Sequence, residues 1–190
     1  HLGRHEPADV AIEPGDLVLT EALTYHAMIA QASLMGFRIA PVDLDAEGIL
    51  PEALERAIIE QKPRALFLVP TIHNPTTSIM GEERRIRIAE IARRHSIAVI
   101  EDDIYGTLVG DRPAPIAHHY PEGTYYATSL AKSLGCGLRV GYLLPPADKL
   151  DRARAILHGQ GQTVPPLMAE LATSLISTGE ADGLVSAQRS

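Results

Sequence analysis

The chain has 190 residues and contains no tryptophan, two phenylalanines and a single cysteine. One cysteine, Cys136, excludes an internal disulfide framework and suits a reducing compartment, so a cytoplasmic protein is expected. No apolar run approaches the roughly 20 residues that a helix needs to cross a bilayer. Neither end shows a basic stretch followed by a short apolar one, so no secretory signal is expected and no membrane partner. Lysine is scarce: of 17 basic residues only Lys62, Lys132 and Lys149 are lysines. The basic residues are scattered against a net charge of −7, which makes this stretch a poor candidate for gripping nucleic acid.

What is present suits a globular core, with 45% apolar and 22% charged residues. The length allows one ordinary domain, or one and a fraction. The chain starts at His1, and 179–190 read as the opening of something further, so a piece of a longer protein is expected.

Short β-rich runs alternate with helical patterns. Strands are expected at Asp16–Glu21, Phe37–Asp43, Ala65–Pro70, Ile97–Asp102, Thr124–Ser129 and Arg139–Leu144. Helices are expected over Tyr25–Met35, from Pro51 onward, over Glu82–His95 and over Ala147–Leu157. Strands that are apolar on both faces and separated by helices indicate a mainly parallel sheet covered on both sides, a three-layer α/β/α architecture. In such sheets ligands sit at the carboxyl ends of the strands, which directs attention to the residues after Val69, Ile100 and Thr128.

The first of these strand ends carries Thr71-Ile72-His73-Asn74-Pro75-Thr76-Thr77, a sequence that also suits a plain turn. The second carries Asp102-Asp103-Ile104-Tyr105-Gly106. Adjacent carboxylates leaving a core strand are costly unless something positive meets them, although a helix cap would also use them. The third runs from Ser129 to Gly141 and embeds Lys132 among Leu130, Ala131 and Leu134. Apolar surroundings disfavour an ammonium and free the amine as a nucleophile for Schiff-base chemistry. Lys62 and Lys149 suit a surface role instead. Ser129 and Arg139 flank Lys132 with groups suited to a phosphate. Together the strand ends supply an amine, a carboxylate, a phenol, an amide and an arginine. That set fits a cofactor with an aldehyde, a ring nitrogen and a phosphate, namely pyridoxal 5′-phosphate.

These motifs, P-T-x-x-N-P-T at Pro70–Thr76, E-D-D-x-Y at Glu101–Tyr105 and S-x-x-K-x-L-x-x-G-L-R-x-G-Y at Ser129–Tyr142, resemble the fold-type I PLP-dependent enzymes, the aspartate aminotransferase superfamily. Within it they are most similar to the branch shared by aminoadipate/aromatic aminotransferases and MocR (GntR-type) transcriptional regulators. The resemblance implies that Lys132 forms the Schiff base and that Asp102 pairs with the protonated ring nitrogen. It further implies that Asn74 and Tyr105 bond the phenolic oxygen, that Ser129 and Arg139 bind the phosphate, and that Tyr25 stacks on the ring. The chain would then be a large-domain fragment over 1–190, lacking a flanking N-terminal segment and a C-terminal small domain, and weak or no cofactor retention is expected of the piece alone. A homodimer is implied, with an amino acid and a 2-oxo acid as substrates.

Three departures from the family pattern bear on the phosphate end and the loops: Thr77 stands where glycine is frequent, Ala131 replaces a hydroxyl residue, and Gly135-Cys136-Gly137 replaces Ala-Pro-Gly. Two functions remain open. One is transamination, with Lys132 moving the substrate proton as base and then acid. The other is effector sensing in a regulator that binds the cofactor and an amino acid without turnover and meets DNA only through a module outside this stretch. A nicotinamide-binding Rossmann domain is disfavoured, because Gly135-x-Gly137-x-x-x-Gly141 has the wrong spacing and leads into a strand. The His118-His119 pair is expected to be loop surface rather than a metal site.

Overall fold

The computed structural model describes residues 12–135, 137–159 and 164–189. At its centre lie the strands β1 (Leu17–Glu21), β2 (Arg38–Val42), β5 (Ala65–Leu68), β6 (Ala98–Asp102), β7 (Thr124–Ser129) and β8 (Gly141–Leu144). They form one six-stranded sheet in the order β2-β1-β5-β6-β7-β8. All neighbours run parallel except β8, which pairs antiparallel with β7. A two-stranded hairpin, β3 (Leu44–Asp45) and β4 (Gly48–Ile49), interrupts the path to the next helix and was not expected from the sequence.

The pleat sorts the strand residues between two cores. Leu19, Leu66, Leu68 and Val99 face one side, where they meet α2 (Pro51–Gln61) and α3 (Glu82–Arg94) through Leu54, Ile58, Ile88 and Ile91. Val18, Ala65, Phe67 and Ala98 face the other, against Met28 and Ala32 of α1 (His26–Met35). Burial on both faces explains why these strands read as continuous apolar runs. Pro51 opens α2, where its missing N–H is no loss, and Gly36 closes α1 in the left-handed conformation. A short α4 (Ile116–His119) precedes β7. The two histidines expected on a loop therefore lie on a helical turn, and His119 Nε2 sits 2.8 Å from Glu82 Oε1. The chain continues through α5 (Leu150–Gly159), α6 (Pro166–Ser177) and α7 (Glu180–Arg189). No described helix is long and apolar enough to cross a membrane.

The chain leaves β1 to form β2 on one side and returns to form β5 on the other. That reversal places a crevice at the carboxyl ends of β1 and β5, the position where open α/β sheets bind ligands. The loop after β5 closes on itself there. Met80 N–H donates to Pro70 O at 2.9 Å and His73 N–H to Ser78 O at 2.8 Å. Buried Arg85 grips the loop's base, donating to Met80 O at 2.8 Å, Pro70 O at 2.9 Å and Thr71 Oγ1 at 3.1 Å.

Thr77, at the tip of this loop, has φ +63°, the left-handed region that disfavours β-branched side chains. Relief of roughly 1–2 kcal/mol of strain outweighs the roughly 0.4–1 kcal/mol that glycine costs through the unfolded chain. Thr77→Gly will therefore raise the urea midpoint slightly. A lowered midpoint would show that the Thr77 hydroxyl bond to Thr76 O, at 2.6 Å, outweighs the strain.

Candidate functional site

Five of the seven residues singled out in the sequence line a single cavity of about 210 Å³: Tyr25, Asn74, Asp102, Tyr105 and Lys132. They come from four different places in the chain. Tyr25 stands at the start of α1, Asn74 on the loop after β5, Asp102 at the end of β6 with Tyr105 just beyond, and Lys132 in the turn after β7. His26, Val69 and Ile104 complete the wall. The sequence reading passed over these three, although His26 adjoins Tyr25 and its ring meets Tyr25 edge-on at 4.8 Å.

The two adjacent carboxylates separate in role. Asp103 turns inward and is fully buried; its Oδ2 accepts from Tyr126 Oη at 2.7 Å and pairs with Arg112. A Cβ on Gly106 would collide with that carboxylate and with Arg112, so a larger residue there would have to displace the pair. Arg112 is the positive partner that the sequence did not disclose. Asp102 lines the cavity, and its buried Oδ1 has no hydrogen-bond partner among the described residues. Burial, reinforced by the like charge of Asp103 and opposed by the Ile104 N–H, pushes the Asp102 carboxyl up to about 6. It is not a helix cap, since no helix begins at it.

Next to Asp102, Glu101 is buried and pushed up to about 7 by desolvation, against the Ile116 and Ala117 N–H groups that donate to it at 2.9 Å. Both raised acids hold their protons to a higher pH in the folded chain than in the unfolded one. Stability therefore falls as pH rises from their ordinary values of 3.8 and 4.5 toward about 7, and is level above that. Each contributes about 1–2 kcal/mol to the decline. The melting temperature will be higher at pH 5 than at pH 8, with a shallower slope in Asp102→Asn; a curve that rises over this range contradicts the assignment.

Lys132 departs from the sequence reading, which placed it in apolar surroundings. Its side chain is exposed, on a stretch, 130–134, that forms turns rather than a helix packed on the sheet. It is nonetheless directed at the site, with Nζ 5.8 Å from the Tyr105 ring centroid, within cation–π range. Lys62 and Lys149 do not line this cavity.

Ser129 and Arg139 are not on the cavity wall. Ser129 Oγ donates to Val140 O at 3.0 Å and accepts from Ala131 N–H at 3.1 Å, which stiffens the turn leading to Lys132. Arg139 is exposed, on the segment that returns to β8. Cys136 lies outside the described residues.

An amine and an unpartnered carboxylate oxygen thus share one cavity with an amide and two phenols. The arrangement calls for a cationic nitrogen at Asp102 and an electrophile at Lys132, and the donors of pyridoxal phosphate fit it at its ring end.

Comparison with known proteins is consistent with that donor set. The family described as aminotransferase class I and II matches residues 7–183. The chain is 34% identical over 178 residues to the uncharacterized HTH-type transcriptional regulator YdeF of Bacillus subtilis (strain 168), covering 93% of this chain and 38% of that protein. It is 29% identical to the mitochondrial kynurenine/alpha-aminoadipate aminotransferase of Bos taurus, covering 83% of this chain and 40% of that one. Its fold superposes on LysN, the alpha-aminoadipate aminotransferase of Thermus thermophilus solved with N-(5′-phosphopyridoxyl)-L-leucine. That match has a TM-score of 0.86 at 27% identity and covers 95% of this chain and 48% of LysN. The chain thus spans less than half the length of each of these relatives.

Proposed function

The chain belongs to the aminotransferase class I and II family, and from that premise we propose that residues 1–190 form the pyridoxal-phosphate-binding large-domain portion of a protein that transfers an amino group between an amino acid and a 2-oxo acid. The observation that carries this reading is the unpartnered buried Oδ1 of Asp102 in the same cavity as Lys132.

Bound there, pyridoxal phosphate supplies an aldehyde for amines to condense with and a ring that draws electrons away from the substrate Cα. Asp102 holds the proton on the ring nitrogen, and that pairing relieves the cost of burying its charge. Asn74 and Tyr105 orient the ring through its phenolic oxygen, and Tyr25 covers a face. Ser129 and Arg139 serve the phosphate end, which requires Arg139 to swing in from the exposed position it holds. Lys132 would hold the cofactor through its aldehyde, and its amine would serve as the base and acid that moves the substrate proton between Cα and C4′. Its exposure in this chain leaves Nζ free to move between those atoms.

A second reading rests on the likeness to YdeF: the same site senses an amino acid in a MocR/GntR-type regulator whose DNA contacts lie in another module. In either case we place the protein in the cytoplasm as a homodimer. One experiment tests both readings. With cofactor in excess, an amino acid should change the visible absorption of the loaded protein. Release of a stoichiometric 2-oxo acid that continues with a second 2-oxo acid marks the enzyme, and a spectral change without turnover marks the sensor. No spectral response to cofactor at all in the full-length protein would overturn the shared site.

A further inference from the structure

Two ionisable side chains are sealed into the crevice between β1 and β5, and neither lines the cavity. Glu21, the last residue of β1, is 1% exposed and His73, on the loop after β5, is 2% exposed. Glu21 Oε2 accepts the Val69 N–H at 3.2 Å and lies 3.1 Å from His73 Nε2, an approach of ion-pair length without the direction of a hydrogen bond. On the other side of the ring, His73 Nδ1 is 2.8 Å from Thr76 Oγ1, which is 3.0 Å from Ser78 Oγ.

A carboxyl this far from water is costly to keep, and a core of this size could hold an apolar pair in its place. What the pair touches gives it a use. Glu21 holds Val69, which lines the cavity, and leads into the strand end that carries Tyr25; His73 immediately precedes Asn74. Arg85 braces the base of the 70–80 loop at Pro70, Thr71 and Met80, but its bonds stop short of Asn74. Beyond Thr71 the loop is tied to β1 through His73.

We propose that Glu21 and His73 are a positioning pair that fixes the loop of Asn74 against the β1 end preceding Tyr25, so that both cofactor-facing side chains are held in register. The proposal rests on the cofactor reading above. It assigns no chemistry to either residue, since neither reaches the cavity. The imidazole acts through Asn74, and the carboxylate fixes the imidazole.

The test measures cofactor affinity of the full-length protein to which this stretch belongs by absorbance titration with pyridoxal phosphate, below the melting temperature of every variant. His73→Phe should weaken binding about tenfold, as loss of a supporting residue behind a ligand contact commonly does, and His73→Gln, whose amide nitrogen can face Glu21, should recover most of it. In an Asn74→Ala background His73→Phe should change little, because two residues acting through one contact are not additive. Where His73→Phe does not fold, Glu21→Gln carries the same test: it keeps an acceptor for Val69, and its loss of about threefold should likewise vanish in the Asn74→Ala background. Unchanged affinity in these variants, or an equal loss in both backgrounds, overturns the pair's role while leaving the site intact. Failure of the unaltered full-length protein to bind overturns the cofactor reading and this inference with it.

Discussion

Lys132→Ala will lose both the visible absorption that pyridoxal phosphate gives with the intact protein and any amino-group transfer, by at least about 10³-fold. The size follows from two roles falling on one atom. In the proposed reading Nζ would form the covalent link to the cofactor, and the same amine would carry the Cα proton once substrate has displaced it. Lys132 is the only one of the three lysines on the cavity wall, so no neighbour can substitute. Lys132→Arg keeps the charge over Tyr105 but not the nucleophile and should be equally inactive. A small added amine, supplied in solution to Lys132→Ala, should restore some proton transfer, which separates loss of the base from loss of the fold. Retention of the absorption in Lys132→Ala would remove this residue from the chemistry.

Asp102→Asn should have opposite effects on stability and on function. Burial, only partly offset by the Ile104 N–H, pushes its carboxyl up to about 6, so at pH 8 ionisation costs the folded chain more than the unfolded one. Asparagine matches the protonated acid in shape and never ionises. Discounted for partial exposure, the gain is about 1–2 kcal/mol at pH 8, or roughly 2–8 °C in melting temperature for a chain of this size. It should vanish near pH 4, where the wild-type carboxyl is already protonated. The loaded protein should lose amino-group transfer by about 10²–10³-fold, since an amide cannot keep a proton on the ring nitrogen. A variant that gains stability while losing turnover is the signature of a group kept for its chemistry. If Asp102→Asn loses stability at pH 8, the carboxylate has a stabilising partner in the folded chain.

The layered architecture was legible in the sequence because its cause is local. A strand covered on both faces must be apolar throughout, as in Ala65–Leu68, and its helices must be amphipathic, as in Pro51–Gln61. Asn74, Asp102, Tyr105 and Lys132 were legible because they directly follow such strands, where open α/β sheets bind ligands. What escaped the reading depends on contacts distant in the chain. Nothing near Arg112 announces that it meets Asp103, and nothing in the residues around Glu21 indicates that His73 will face it. The hairpin β3–β4 is too short for a periodic signal, and the antiparallel turn of β8 is invisible to a pattern that records only burial. Lys132 was expected among its apolar sequence neighbours, yet those neighbours lie on surface turns and do not enclose it.

Which amine meets the aldehyde decides the role of every other residue in the site. Borohydride reduction of the protein in the presence of pyridoxal phosphate, followed by digestion and peptide mass analysis, reads this directly. The cofactor mass should appear on the peptide containing Lys132 and be absent from those containing Lys62 and Lys149. Label spread evenly over all three lysines, or confined to either of the other two, would contradict it.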